Sequence, residues 1–406
     1  MAPHVCQPAA VRTGIPVLAL VCLLTFVHYT CAQMRGPVLP LYASAHGATP
    51  TGVGLIMGLH MAIAALGSIP LGRASDVWGR RPLLLGGMAV GVVTSLLLPL
   101  FEGEFALATI FGLAGLGVAA FTPSALSLVG DAAVPGAAGR AYAWYSTAHY
   151  GAIAIGPFLG GLAAEWWGYR TAFVVSAAGI AIAFVAGLVL PLRSTAPPSG
   201  GSGATFADIR SNASVWAGWV ASVGGMFIQG VVFTFFPLLA HERGLSPAAI
   251  GLVFLALGLA NTVARFPAGW LMDRTGWRSP YAVGGLLVAS AATALLPLVG
   301  VGAAVLALVA AFGAVSGAAF VAISVALAAS TTPATRGLVM GGYSMSLYLG
   351  LALGSVALGP VITGHGYTVG FSAGGAAGVI VALTAAALWA MSGSRAGDRC
   401  GAAASP

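Results

Sequence analysis

Long apolar runs alternate with short polar breaks along the whole chain. A helix that crosses a bilayer needs roughly 20 mostly apolar residues. Runs of that kind cover about 15–41, 51–71, 83–101, 105–130, 139–164, 169–191, 214–239, 247–267, 280–299, 302–328, 337–362 and 367–391. Their length predicts α-helices. Strands of a membrane barrel would be about half as long and would alternate in polarity. One polar break is much longer than the rest. Pro, Gly and Ser dominate 192–213, LRSTAPPSGGSGATFADIRSNA, which predicts a flexible linker. The expected organisation is a six-helix bundle over 1–191, a linker over 192–213 and a second six-helix bundle over 214–406.

Composition makes lipid the solvent. The 406 residues are 59% hydrophobic and 6% charged, with a mean hydropathy of +0.97, whereas a soluble domain is about a quarter charged. The first run is too long for a signal-peptide core, and no small-residue cleavage site closes a short one, so it is expected to stay as the first membrane helix. Cys22 and Cys31 lie in that run and Cys6 and Cys400 in the tails. None has metal-site spacing, and no disulfide framework is implied.

The net charge of +7 raises the question of a nucleic-acid partner. The placement of the arginines answers it. Twelve spans put both termini on one side. If that side is the cytoplasm, Arg12, Arg73, Arg80, Arg81, Arg140, Arg193, Arg210, Arg265, Arg274, Arg278, Arg336, Arg395 and Arg399 lie in or beside cytoplasmic segments. Only Arg170 and Arg243 lie outside, and Arg35 lies within the first span. This is the positive-inside pattern. The basic charge sets topology and gives no evidence for a polyanion. All 16 basic residues are arginine, which, with many Gly and Ala, suggests a GC-rich bacterial genome and a bacterial inner membrane with cytoplasmic termini.

The two halves repeat. At an offset of 197, LPLYASAHGATPTGVGL (39–55) falls on FPLLAHERGLSPAAIGL (236–252) without a gap. The same offset carries Pro70, Gly72, Asp76, Gly79 and Arg81 onto Pro267, Gly269, Asp273, Gly276 and Arg278. An offset of 198 carries Tyr145, Ser146, Tyr150, Gly156, Gly168, Tyr169 and Phe173 onto Tyr343, Ser344, Tyr348, Gly354, Gly366, Tyr367 and Phe371. Two parallel repeats of six helices about an axis along the membrane normal are a transporter layout. A site between two similar bundles can open to either face as one bundle rocks against the other.

The break between the second and third runs, GRASDVWGRRP (72–82), concentrates charge and glycine. Gly72, Asp76, Gly79, Arg80 and Arg81 fit G-x-x-x-D-x-x-G-R-[RK], and Gly269, Asp273, Gly276 and Arg278 repeat it with Trp277 at the first basic place. Here the chain resembles the major facilitator superfamily. The resemblance implies an all-α integral membrane fold of twelve helices in two pseudo-symmetric bundles, working by alternating access. It also implies that Asp76 clasps the start of a helix in the other half and holds the cytoplasmic face shut, with Arg140 and Arg336 as partners. The plainer reading is that Arg80 and Arg81 only anchor topology. In the fifth run, Gly151, Gly156, Pro157, Gly160 and Gly161 fit G-x-x-x-x-G-P-x-x-G-G, which resembles the antiporter motif of the drug/proton exporter branch. One feature of that branch is missing. Its usual arginine in the fourth span is replaced here by Phe111 or a neighbour.

The resemblance places a substrate cavity between spans 1, 4, 7 and 10, with parts of 2, 5, 8 and 11. Polar candidates for substrate and protons are His28, Tyr29, Gln33, Arg35, His60, Tyr145, His149, Gln229, Asn261 and Tyr343, with Thr122, Ser124, Tyr150, Arg265, Ser316, Ser324 and Tyr348 in the same spans. Arg35 is the sharpest, because a bilayer charge is costly unless it meets water or a partner, and no acidic residue lies deep in any run. It either snorkels towards the outer interface or faces a cavity. A cavity arginine without a carboxylate favours an anionic substrate. His28 lies seven residues, two helical turns, before Arg35 and shares its face. Histidine changes charge near neutral pH and can stand in for a missing carboxylate in proton coupling. A membrane histidine can equally be a packing residue.

An enzyme would need an acid/base pair, a nucleotide loop or a metal cluster. No P-loop, no G-x-S-x-G and no paired acids in a run are present. The expectation is a monomeric, proton-coupled exporter of a small organic solute, with no cofactor and no metal. An importer, symporter or facilitator of an organic anion is the alternative, and a transporter of a metal-related solute a further one.

Overall fold

The computed structural model describes residues 14–133, 137–189, 206–332 and 335–402. Among them every regular element is helical. The first span is α1 (Gly14–Gln33) followed, after a break at Met34, by α2 (Arg35–Ala45). Then come α3 (Pro50–Trp78), α4 (Arg80–Leu97), α5 (Glu104–Ala132), α6 (Ala138–Trp167) and α7 (Tyr169–Val189). The second half holds α8 (Ala213–Glu242), α9 (Pro247–Thr275), α10 (Arg278–Leu295), α11 (Ala303–Ala329) and α12 (Arg336–Ala402). The last of these is two spans joined at Gly366, whose φ of 80° breaks the helix. All twelve apolar runs therefore fall on helices.

The signature stretch at 72–82 is mostly helix, where a loop was expected. Helix α3 continues to Trp78, so Gly72 and Asp76 ride on its last turns. Gly79 alone reverses the chain, with φ 98°, a region that glycine enters without a Cβ penalty. Gly276 does the same between α9 and α10, at φ 69°. The arginines after the turn stitch helix ends together. Arg80 pairs with Asp131 and donates to the Ser127 carbonyl at 3.0 Å. Arg81 donates to the last carbonyls of α7, at Gly187 and Leu188. A cation there meets the negative end of the helix.

The end of the predicted linker is ordered. Residues 192–205 lie outside the described residues. The rest folds onto the second half: Phe206–Asp208 form a 3₁₀ turn, Ile209 is buried, and Asn212 caps α8.

The buried apolar residues form three groups. One is shared by both halves and includes Leu39, Val53, Ile56, Phe235, Ile250 and Phe254. A second draws on the first half alone, around Leu84, Phe121 and Ile180. The third draws on the second half alone, around Leu286, Phe320 and Ile323. The halves are thus fused at the end that carries the starts of α3 and α9. Each keeps its own core at the opposite, arginine-rich end.

Glycine makes the fused end possible. A Cβ on Gly161 would lie 2.2 Å from the Pro247 carbonyl oxygen, and one on Gly359 would lie 2.9 Å from that of Pro50. Likewise Gly54 meets the Ser355 carbonyl at 2.3 Å and Gly251 that of Pro157 at 2.7 Å. Each pair maps onto the other by the sequence repeat. Small residues let the backbones of α3 and α12, and of α6 and α9, touch. The capping contacts repeat too. Glu165 accepts from the Ala248 N–H at 2.9 Å, and Thr363 accepts from the Thr51 N–H at 3.1 Å. Among the described residues, Tyr348 makes a cross-half hydrogen bond with Thr122 beside the central cavity, and the cross-half hydrogen bonds at helix starts sit at this end. We call it the closed end.

Leucine at Gly161 or Gly359 should wedge the closed end apart. In a cysteine-free background with Gln229→Cys in the interior, a membrane-impermeant maleimide added at the closed end should react only when the leucine is present. Equal protection in both proteins would contradict the seal. The Ser246 hydroxyl and the Ala248 N–H both hold the Glu165 carboxyl below its usual range. A depressed carboxyl supports the closed end above its ordinary pKa and loses that support as pH falls. The distance between nitroxides at His46 and His241, across the closed end, should therefore lengthen on acidification to about pH 4, and Glu165→Gln should remove that pH dependence.

Candidate substrate cavity

A cavity of about 230 Å³ lies between the halves. Its walls come from α1, α2, α3, α5 and α6 of the first half and from α8, α9, α11 and α12 of the second. Most of the polar candidates reach it: Tyr29, Gln33, Arg35, His60, His149, Gln229, Asn261 and Tyr343.

Two do not. His28 is buried inside the first bundle, its ring stacked on Phe121 at 4.2 Å and 3.6 Å from the Cβ position of Gly91. It does share a face with Arg35, as its spacing requires, but that face packs on α4. Only the long arginine side chain reaches round to the cavity. Tyr145 is also buried and absent from the walls; it stands one layer back, its ring stacked 6.0 Å from that of His149. The proline-glycine motif of α6 packs helices as well. Gly156 and Gly160 seat against the backbone at Thr30 and Met34, and Gly161 reaches across to the other half.

Arg35 does not snorkel. It is 4% exposed, and its guanidinium donates to the Ala32 carbonyl at 3.1 Å and to the Thr94 hydroxyl at 3.4 Å. Its Cζ stands 5.6 Å from the centre of the Phe111 ring. His60 stacks on the same Phe111 ring at 4.2 Å, and its Nδ1 lies 2.9 Å from the Phe111 carbonyl. A carbonyl only accepts, so Nδ1 carries the hydrogen and Nε2 of the neutral ring is left as an acceptor. On the far wall Arg265 donates to the Asn261 side chain at 3.0 Å, and its Cζ lies 3.9 Å over Tyr150 of the opposite half. Arg265 is expected both among the cytoplasmic arginines and among the polar groups of the cavity-lining spans; it is a cavity residue. The signal was present, because Gly258, Asn261 and Arg265 are spaced three and four apart and so share one helix face.

Among the described residues, no wall residue is acidic. The rest of the lining is apolar or aromatic, including Met57, Met61, Phe233 and Phe320. Two buried polar atoms in the walls, His149 Nδ1 and Gln229 Oε1, have no hydrogen-bond partner.

The gate residues behave differently from their expected clasp. Asp76, Asp273 and Arg140 are exposed, and none forms an ion pair among the described residues. Arg336 opens α12, and its side chain lies outside the described residues. No group of three or more metal-ligating side chains occurs among the described residues.

The sequence model of the Major Facilitator Superfamily matches residues 21–310 and 227–399. The chain belongs to this superfamily. It is a multi-pass membrane transporter and not an enzyme. A protein of Streptomyces coelicolor named "Probable transporter SCO4007" is 30% identical over 94% of this chain and 88% of its own length. A "Multi-drug resistance efflux pump PmrA homolog" of Lactococcus lactis is 26% identical over 59% of this chain and 62% of its own. Among solved structures, a bacterial homologue of the human lysosomal transporter Spinster superposes with a TM-score of 0.79. It covers 95% of this chain and 98% of its own at 17% identity, which is a likeness of fold.

The placement of the histidines predicts a split. His28→Phe keeps the stack on Phe121 and should leave flux within about twofold. His149→Phe removes a polar wall group and should lower flux at least tenfold. Equal loss in both variants, with equal yields of folded protein, would contradict the geometry.

Proposed function

We propose that the protein is a proton-coupled exporter of a small organic solute, working by alternating access. The observation that carries this reading is the one-sided fusion of the halves around a central cavity. The arginine-rich end is read as cytoplasmic, by the positive-inside rule. In this state the two halves are joined at the outer end, while at the cytoplasmic end each has its own core. The cavity is then offered to the cytoplasm. Asp76, exposed and unpaired here, takes the role of a latch that engages when the cytoplasmic end shuts. The start of α12 at Arg336 lies in the other half from Asp76, whereas Arg140 opens α6 in the same half. Domain boundaries at 191 and 214 fit two bodies that rock about the cavity.

One relative named as an efflux pump and others named as drug-resistance proteins support export. Besides the Lactococcus pump, a chloramphenicol resistance protein of Pseudomonas aeruginosa is 28% identical over 64% of this chain. Among the described residues no carboxylate lines the cavity to carry a proton, so the role falls to His149 and His60, whose rings line it. Import by the same fold differs only in the sign of flux.

Proteoliposomes with an imposed pH gradient test the reading. Ethidium, chloramphenicol and 2-naphthoate are offered one at a time, and at least one should move against its gradient, out of the compartment that the arginine-rich end faces. Collapse of the gradient with nigericin should stop it. Flux of the opposite sign means import, and flux indifferent to the gradient ends the proton reading. Asp76→Asn should fold normally by size exclusion and lower flux at least tenfold; a wild-type rate would remove the latch.

A further inference from the structure

We propose that the cavity takes an organic anion with an aromatic or otherwise apolar body, its acidic groups held by Arg35 of one half and Arg265 of the other. This rests on the transporter reading above and names its substrate class. Two permanent cations line the cavity, and no acidic side chain among the described residues does. Each cation rests instead against a ring, Arg35 near Phe111 and Arg265 over Tyr150. A ring face offers a cation only part of what an anion would. Guanidinium is also the donor group best matched to a carboxylate or phosphate, through two parallel hydrogen bonds. The buried Gln229 Oε1 and His149 Nδ1 are left without partners. Unsatisfied buried polar atoms are costly, and these two supply a second sign that a ligand with polar groups belongs here. The apolar walls at Met57, Met61, Phe233 and Phe320 would take the body of the ligand. A cation would meet two like charges and no counter-ion.

The placement also suggests how occupancy drives the cycle. Tyr150 and Arg265 come from different halves and touch across the cavity. An anion that draws Arg265 off the ring while engaging Arg35 exchanges one cross-half contact for a stronger one. Substrate then pulls the two bundles together around itself.

The full-length chain in lipid nanodiscs supplies the test, with radiolabelled binding of three matched probes. They are 2-naphthoate, 2-naphthylmethanol and 2-naphthylmethylammonium, with naphthalene dicarboxylates as a second anion set. The carboxylates should bind at least tenfold tighter than the neutral and cationic probes. Arg35→Gln and Arg265→Gln should each weaken the carboxylates at least tenfold and leave the alcohol unchanged, which reports that the cavity is intact. Arg35→Lys and Arg265→Lys should recover part of the loss. The proposal is overturned if the ammonium probe binds as well as the carboxylates, if no carboxylate binds, or if both glutamine variants keep wild-type affinity. Gradient-driven efflux of ethidium with no binding of carboxylates would keep the exporter reading and sink this one. Tight carboxylate binding without any flux would do the reverse.

Discussion

The structure depends on backbone meeting backbone at one end of the molecule. Hydrocarbon tails are as apolar as leucine, so helices in a bilayer gain little from merely hiding apolar surface and associate mainly through close packing. Glycine at 54, 161, 251 and 359 lets helices of opposite halves approach to carbonyl contact. A single methyl at Gly161 would collide with Pro247. These contacts come as two copies related by the internal repeat, so the seal has the symmetry of the whole fold. It also has a limited reach. Beyond it the two bundles keep separate cores, and that is the condition for rocking as rigid bodies.

The cavity follows from where the seal ends. It is small, mostly apolar and carries positive charge, with no acidic side chain in its walls among the described residues. Burying charge in a medium of low dielectric is tolerated only with partners. Arg35 finds a carbonyl, a hydroxyl and a ring; Arg265 finds a carboxamide and a ring. These neutral partners hold the guanidinium groups in place and leave their charge uncompensated. Permanent carboxylate partners would neutralise the site. The charged ends elsewhere are handled differently, with Arg80 on Asp131 and Arg170 on Glu102.

The span pattern was plain in the sequence, because bilayer thickness imposes a length on every helix. The repeat was plain as well, since the glycines and prolines that shape the seal recur at one offset. Loop boundaries were less legible. Helices α3 and α9 run past the hydrophobic layer into polar sequence, and hydropathy cannot see a helix that continues in water; thus Asp76 was read as a loop residue. The end of the linker folded for a similar reason: Ile209 and Asn212 have partners in the second half that composition does not reveal. Cavity residues were read from polarity alone, which finds Tyr29 or Asn261 but cannot tell a wall from the layer behind it. His28 failed on that ground. Arg265 was legible both as a cytoplasmic charge and as a cavity-span polar group, and its helical register with Asn261 favours the second.

Paired distance measurements at the two ends test the central claim most directly. Nitroxide pairs at His46 and His241 report the closed end, and pairs at the exposed Trp78 and Thr275 report the arginine-rich end. Double electron–electron resonance in nanodiscs, across pH and bound probes, should show the two distances moving in opposite directions, one lengthening as the other shortens. Distances that change together, or a closed end that stays fixed while flux proceeds, would contradict two rigid halves pivoting about one cavity.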